Sequence, residues 1–72
     1  MDNVEIRKRV GERIKQIREK KGISQQEIAV ACDFEKSSMS RIEAGRTNPT
    51  VTTLYKISIA LGVKMKDLID VD

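Results

Sequence analysis

Lys36, Ser37, Ser40 and Arg41 are the residues whose types and spacing best suggest chemistry. On a helix at about 100° per residue, with Lys36 at zero, Lys36, Ser40, Ala44, Ser37 and Arg41 spread over an arc from about 0° to about 140°. Ser38, Met39 and Ile42 fall on the opposite side of the same wheel, which assigns them to the inner face. The outer arc is therefore donor-rich and small. An arginine forks onto two acceptors, such as the O6 and N7 of a guanine; a lysine reaches the same atoms, and a serine donates or accepts. Taken alone, the arc reads as the solvated side of an ordinary surface helix.

The chemistry that the chain excludes is clearer. It has no histidine and one cysteine in 72 residues. That removes zinc fingers, histidine acid–base catalysis and Cys–His nucleophiles. No catalytic or metal-ligating constellation can be assembled, and no cofactor is expected. One cysteine forms no internal disulfide. Cys32 occupies an apolar position and reads as a small core residue, and Met39 and Met65 read as core fillers. The longest apolar run, Ile28 to Cys32, is far too short to span a bilayer, and the charged start Met1–Val10 has no secretory core. A cytoplasmic location is expected.

Charge is unevenly spread. The net charge is +3, yet residues 1–22 hold eight Lys/Arg against four acids, whereas residues 23–34 hold only Glu27 and Asp33. A basic amino-terminal third suits a polyanion but does not demand one. One Tyr and one Phe are too few for base-stacking on single strands.

The elements that must position the donor arc follow from punctuation and period. Gly22, Gly45 and Gly62 each close a helical stretch, where a left-handed cap belongs. Ile6, Val10, Ile14 and Ile17 form one apolar stripe. Gly11 interrupts it at a cost of about 1 kcal/mol relative to Ala, so helix one begins either near Asn3 or near Gly11. Ser24-Gln25-Gln26-Glu27 is a capping box that opens helix two. Helix three is expected over about Lys36–Ala44. Thr50 caps a fourth helix with Val51, Leu54, Ile57 and Leu61 as its stripe, and a short fifth spans about Met65–Ile69. No strand-like alternation occurs. The expectation is a single all-α domain over residues 1–72, a compact five-helix fold, with residues 1–10 as an extension of helix one.

Within it, Ser24–Cys32 and Lys36–Ala44 have specific spacing. Counting from Gln25, Ala29 is at position five and Ile28, Cys32, Phe34, Met39 and Ile42 are at four, eight, ten, fifteen and eighteen. A small residue at five permits a close crossing, and the apolar positions hold it near perpendicular. This is the pattern of a helix-turn-helix, over about residues 24–44.

The likeness extends from residue 11 to 70. Gly11–Arg18, Lys21–Ala29, Ser40–Arg46, Pro49-Thr50, Ala60–Val63 and Asp67-Leu68 together resemble the phage Cro/repressor-like, or XRE-type, family of lambda-repressor-like domains. The resemblance implies a five-helix DNA-binding domain, acting as a homodimer on a pseudo-palindromic operator in double-stranded DNA. It implies base reading by Lys36, Ser37 and Arg41, with Ser40 adjacent. It implies phosphate contacts by Gln25, at the first turn of helix two, and by Arg46, Thr47 and Asn48 after helix three. It also implies a partly buried ion pair between Arg18 and Glu43. The expected function is a sequence-specific transcriptional regulator, a repressor or autoregulator, without a small-molecule effector. A protein-interaction module of the same fold is the alternative.

Three positions depart from the family pattern. Asp33 stands at the turn where Gly is usual, and tolerates a left-handed conformation better than most residues. Glu35 and Lys64 stand where Ser or Thr usually caps helices three and five. Glu35 brings a carboxylate close to where phosphates would lie. Arg13 and Lys15 are expected to be solvated. Val63, Met65, Leu68, Ile69 and Val71 concentrate apolar character at the carboxyl end, which points to a dimer contact through the C-terminal helix.

Overall fold

Four of the five helices begin where a side-chain oxygen accepts a free backbone N–H. The computed structural model describes all residues, Met1–Asp72. It comprises α1 (Asn3–Lys20), α2 (Gln25–Cys32), α3 (Lys36–Glu43), α4 (Val51–Leu61) and α5 (Met65–Leu68), with no strand. Asp2 caps α1 by accepting from the Glu5 N–H at 2.8 Å. Helix one therefore starts near Asn3, running straight through Gly11. The Ser24 box is formed, with Ser24 Oγ accepting from the Glu27 N–H at 3.0 Å and Glu27 accepting from the Ser24 N–H at 3.4 Å. Thr50 Oγ1 accepts from the Thr53 N–H at 3.1 Å. At α5, where Lys64 has no capping acceptor, the Asp67 carboxylate takes the Lys64 N–H at 3.0 Å. Glu35 makes no side-chain cap bond to α3.

Asp33 ends α2 at φ 59°, ψ 45°, the only non-glycine residue in the left-handed region. Its N–H donates to Val30 and the Phe34 N–H to Ala29, so the turn into α3 is hydrogen-bonded without glycine.

The core lies where α1, α2, α3 and α4 meet. Ile14, Ile28, Met39, Ile57, Leu61 and Leu68 are essentially inaccessible, and Cys32 lies among them. Ile6 is exposed, so the apolar stripe of α1 enters the core only from Val10 onward. Gly11 has a reason to be glycine. A Cβ there would overlap the carbonyl oxygens of Ile42 and Glu43, the latter at 2.6 Å. Helix one thus lies directly on the carboxyl end of α3. This contact, with α2 packed along the other flank, fixes the angle at which α3 presents its outer arc.

The carboxyl end is more buried than its composition suggests. Leu68 is fully enclosed and Val63, Met65 and Val71 are half-buried, leaving Ile69 as the exposed large apolar residue of that segment. Two arginines of α1 hold it down. Arg13 Nε donates to the Asp67 carbonyl at 2.9 Å, and Arg9 donates to the Val71 carbonyl at 3.2 Å. This corrects the expectation for Arg13, which is half-buried; Lys15 is exposed as expected. No helix is long and apolar enough to cross a membrane.

Candidate nucleic-acid interface

Helix α3 has eight residues, and its inner face is spent on Met39, Ile42 and Glu43. What remains outside is Lys36, Ser37, Ser40, Arg41 and, as the C-cap, Ala44, all exposed. The structure brings the four sequence-predicted base-reading residues onto one face. Lys36 and Ser40 make no side-chain hydrogen bond. Ser37 Oγ donates to Glu35 at 3.3 Å, and Arg41 donates to Ser38 Oγ at 3.4 Å. Both bonds are long and exposed, so the donors are held loosely.

Ser38 departs from the inward assignment. It is half-buried and sits on the rim of a groove with Arg41, Thr47, Asn48, Pro49 and Thr50. The helical wheel gives its direction correctly, away from the donor arc. The neighbour on that side is the α3–α4 loop, however, and the loop leaves the groove open. The groove joins Arg41 to Thr47 and Asn48, so a base-reading candidate and two phosphate candidates share one wall. Arg46 is exposed at the start of the same loop, and its N–H is anchored on the Arg41 carbonyl at 2.9 Å.

The opposite border of α3 is built around Glu43, at about 340° on the same wheel. Arg18 of α1 grips it with two bonds, Nε to Oε2 at 2.6 Å and Nη2 to Oε1 at 3.0 Å. A third guanidinium bond goes from Nη1 to the Ile23 carbonyl at 2.8 Å. Arg18 and Glu43 are both buried, and the hydrogen bond to Glu43 raises the Arg18 pKa above its ordinary value. Charge-assisted, bidentate geometry is what makes a buried pair tolerable. Gln25 joins it, with Nε2 donating to Glu43 Oε1 at 2.9 Å. Gln25 is half-buried at the first turn of α2, so one amide hydrogen is committed to Glu43 while the second is uncommitted. The sequence analysis gives Gln25 a phosphate role and not this bond, which spans 18 residues.

The donor arc is thus flanked by Gln25 on one side and by the Arg46–Asn48 loop on the other. No three acidic or thiol side chains converge elsewhere as a metal site would need. The Cys32 thiol is buried, which pushes its pKa up and away from a reactive thiolate.

Comparison with known proteins bears on this geometry. The family model HTH_3, described as helix-turn-helix, matches residues 14–68. The chain is 39% identical over 66 residues to an uncharacterized HTH-type transcriptional regulator, y4dJ, of Sinorhizobium fredii, covering 92% of this chain and 86% of that one. It is 42% identical over 66 residues to the control protein C.BamHI of Bacillus amyloliquefaciens, covering 90% and 82%. Among solved structures, it matches the restriction-modification controller C.AhdI of Aeromonas hydrophila with a TM-score of 0.82 at 26% identity, over 85% of this chain and 92% of that one. It also matches the clp gene regulator ClgR of C. glutamicum with a TM-score of 0.86 at 26% identity, over 90% and 84%.

Proposed function

The chain belongs to the HTH_3 family of helix-turn-helix transcriptional regulators, a non-enzymatic family, and from that premise we propose that it reads a specific double-stranded operator with α3. Lys36, Ser37, Ser40 and Arg41 face base edges in the major groove. Gln25, Arg46, Thr47 and Asn48 hold the phosphates on either side. One observation carries the reading: the exposed donors of α3 form a single arc bracketed by polar groups from two other elements. A solvated surface helix has no reason to be bracketed in this way.

One eight-residue helix covers one half-site, so two copies act on a pseudo-palindromic operator with their α3 helices about 34 Å apart. The output is repression or autoregulation. The near full-length likeness to a control protein and to a restriction-modification controller supports a regulatory role.

Selection of bound duplexes from a random pool tests the reading. An enriched inverted repeat is expected. A pool that stays random favours the second reading, an interaction module that kept the fold and lost its DNA. The Glu35 carboxylate at the amino end of α3, unused as a cap, is the observation that favours that module.

A further inference from the structure

The basic amino-terminal third is the feature of the sequence that the operator reading leaves unused. Contacts within the chain sort its arginines and lysines. Arg9 pairs with Glu5 at 2.9 Å and donates to the Val71 carbonyl, Arg13 donates to the Asp67 carbonyl, and Arg18 is locked on Glu43. Arg7 and Lys8 have no such partner. Both lie on the second turn of α1, ahead of residues 14–68 that match the helix-turn-helix family. They straddle the loop that follows α3. Lys8 lies against Gly45, where an added Cβ would stand 2.7 Å from Lys8 Cγ and 2.8 Å from its Cα. Only a glycine lets α1 come so close to the end of α3. Lys8 also borders a hollow with Ala44, the C-cap of α3. Arg7 borders a second hollow, of about 200 Å³, with Asn48, Pro49 and Leu54, and no acid lines it. Arg7 Nε is covered and has no hydrogen-bond partner, a costly and uncommon state for a donor.

We propose that Arg7 and Lys8 form a second phosphate grip, on α1, which holds the duplex strand that passes the α3–α4 loop. Arg7 serves the Asn48 end of the loop and Lys8 the Gly45 end, with Arg46 between them in sequence. Three cations thus surround a four-residue loop, Gly45–Asn48, that carries no acid. A guanidinium presents its fork, Nε included, to two phosphate oxygens, whereas an ammonium acts as a point charge. Two acids border the Lys8 hollow. Glu43 is already held by Arg18 and Gln25, and Glu12 forms no ion pair with Lys8. The contact surface of the proposed interface therefore runs past Asn48 onto a helix that contributes nothing to base reading, and it adds affinity for any sequence.

This grip rests on the operator reading, so the test separates the two. The full chain is titrated against a random-sequence duplex and against the selected operator at several salt concentrations. Arg7→Gln and Lys8→Gln remove one charge each and keep much of the side-chain stem. Each should lower the log–log salt slope by about 0.9 per bound chain and weaken both duplexes by the same factor, about three- to ten-fold at low salt. Arg7→Lys should restore the slope. Lys56→Gln removes the same charge from an exposed position about 200° round α4 from Leu54, and should leave the slope as it is. Melting curves that match the parent exclude a loss of fold, and either of the two glutamine variants alone suffices for the test. A parent that binds no duplex overturns the operator reading and this grip together. A parent that binds, with slopes unchanged in both glutamine variants, overturns the grip alone. So does an equal fall in Lys56→Gln, which would mark a net-charge effect, or a loss confined to the operator, which would mark base contact.

Discussion

Arg18 and Glu43 join α1 to the carboxyl end of α3 by a buried two-bond fork, at 2.6 and 3.0 Å. The fork sets the pitch of α3 against the rest of the domain. Removing the carboxylate leaves a buried guanidinium with only the Ile23 carbonyl as partner, which costs about 3–5 kcal/mol. A domain of this size has about 4–10 kcal/mol in total, so Glu43→Ala should lose about a third of its stability or more. Urea titration checks this. Glu43→Gln keeps the shape and one acceptor and should lose less. If Glu43→Ala melts like the parent, the pair is a weak surface contact.

Gly11→Ala gives an opposite sign to that expected from helix propensity. Ala is better than Gly within a helix by about 1 kcal/mol. Here the added Cβ would strike the Ile42 and Glu43 carbonyls, which are backbone and cannot swing away. Helix one must back off from α3, loosening both the Arg18–Glu43 fork and the seat of the donor arc. Gly11→Ala should therefore lower the melting temperature. An exposed substitution on the same helix, Lys15→Ala, should not.

Local signals are readable in the residues themselves; of the returns across the chain, the Arg18–Glu43 pair is anticipated only through the family resemblance, and the others are not. Ser24, Thr50 and the left-handed Asp33 act within four residues of themselves, and composition shows them directly. The outer arc of α3 is legible for the same reason, since a helical wheel needs only spacing. Ser38 shows the limit. The wheel gives a direction but not what stands in that direction, and the α3–α4 loop leaves a groove there. Arg13 and the Asp67 carbonyl are 54 residues apart, and Gln25 and Glu43 are 18 apart. Nothing in the sequence says that those groups meet. The stripe of α1 fails at Ile6 because the helix continues past the layer that it packs on.

Cys32 gives a pH dependence with a definite sign. Burial raises its pKa above the ordinary value of 9.0, so the folded chain holds the thiol proton more tightly than the unfolded chain does. Its contribution is therefore complete below pH about 9 and is lost as pH rises through the folded-state pKa. Stability should fall from about pH 9 upward, and the fall should be shallower in Cys32→Ala after allowance for that variant's lower baseline. At neutral pH a thiol reagent should label Cys32 only at the rate of unfolding, so labelling should accelerate in parallel with urea.

Arg41 and Arg46 separate reading from anchoring, and they test the proposed interface most directly. Arg41 lies on the donor arc of α3, whereas Arg46 lies in the loop that follows, tied by its backbone to the Arg41 carbonyl. Contacts to base edges carry sequence information, while contacts to phosphate act on any sequence. Arg41→Ala should lose about 1–3 kcal/mol on the selected operator and relax preference at one base pair per half-site, a G·C pair, with little change on random duplex. Arg46→Ala should weaken both together and lower the log–log salt slope by about one per site. Ser38 sits on the groove rim and steadies Arg41 through a long 3.4 Å bond. Ser38→Ala should therefore change operator affinity by no more than a few-fold and leave the preferred bases unaltered. Titrations of labelled operator and random duplex at several salt concentrations measure all three. Equal losses on operator and random DNA for Arg41→Ala would make Arg41 a phosphate clamp and move base reading to Lys36, Ser37 and Ser40.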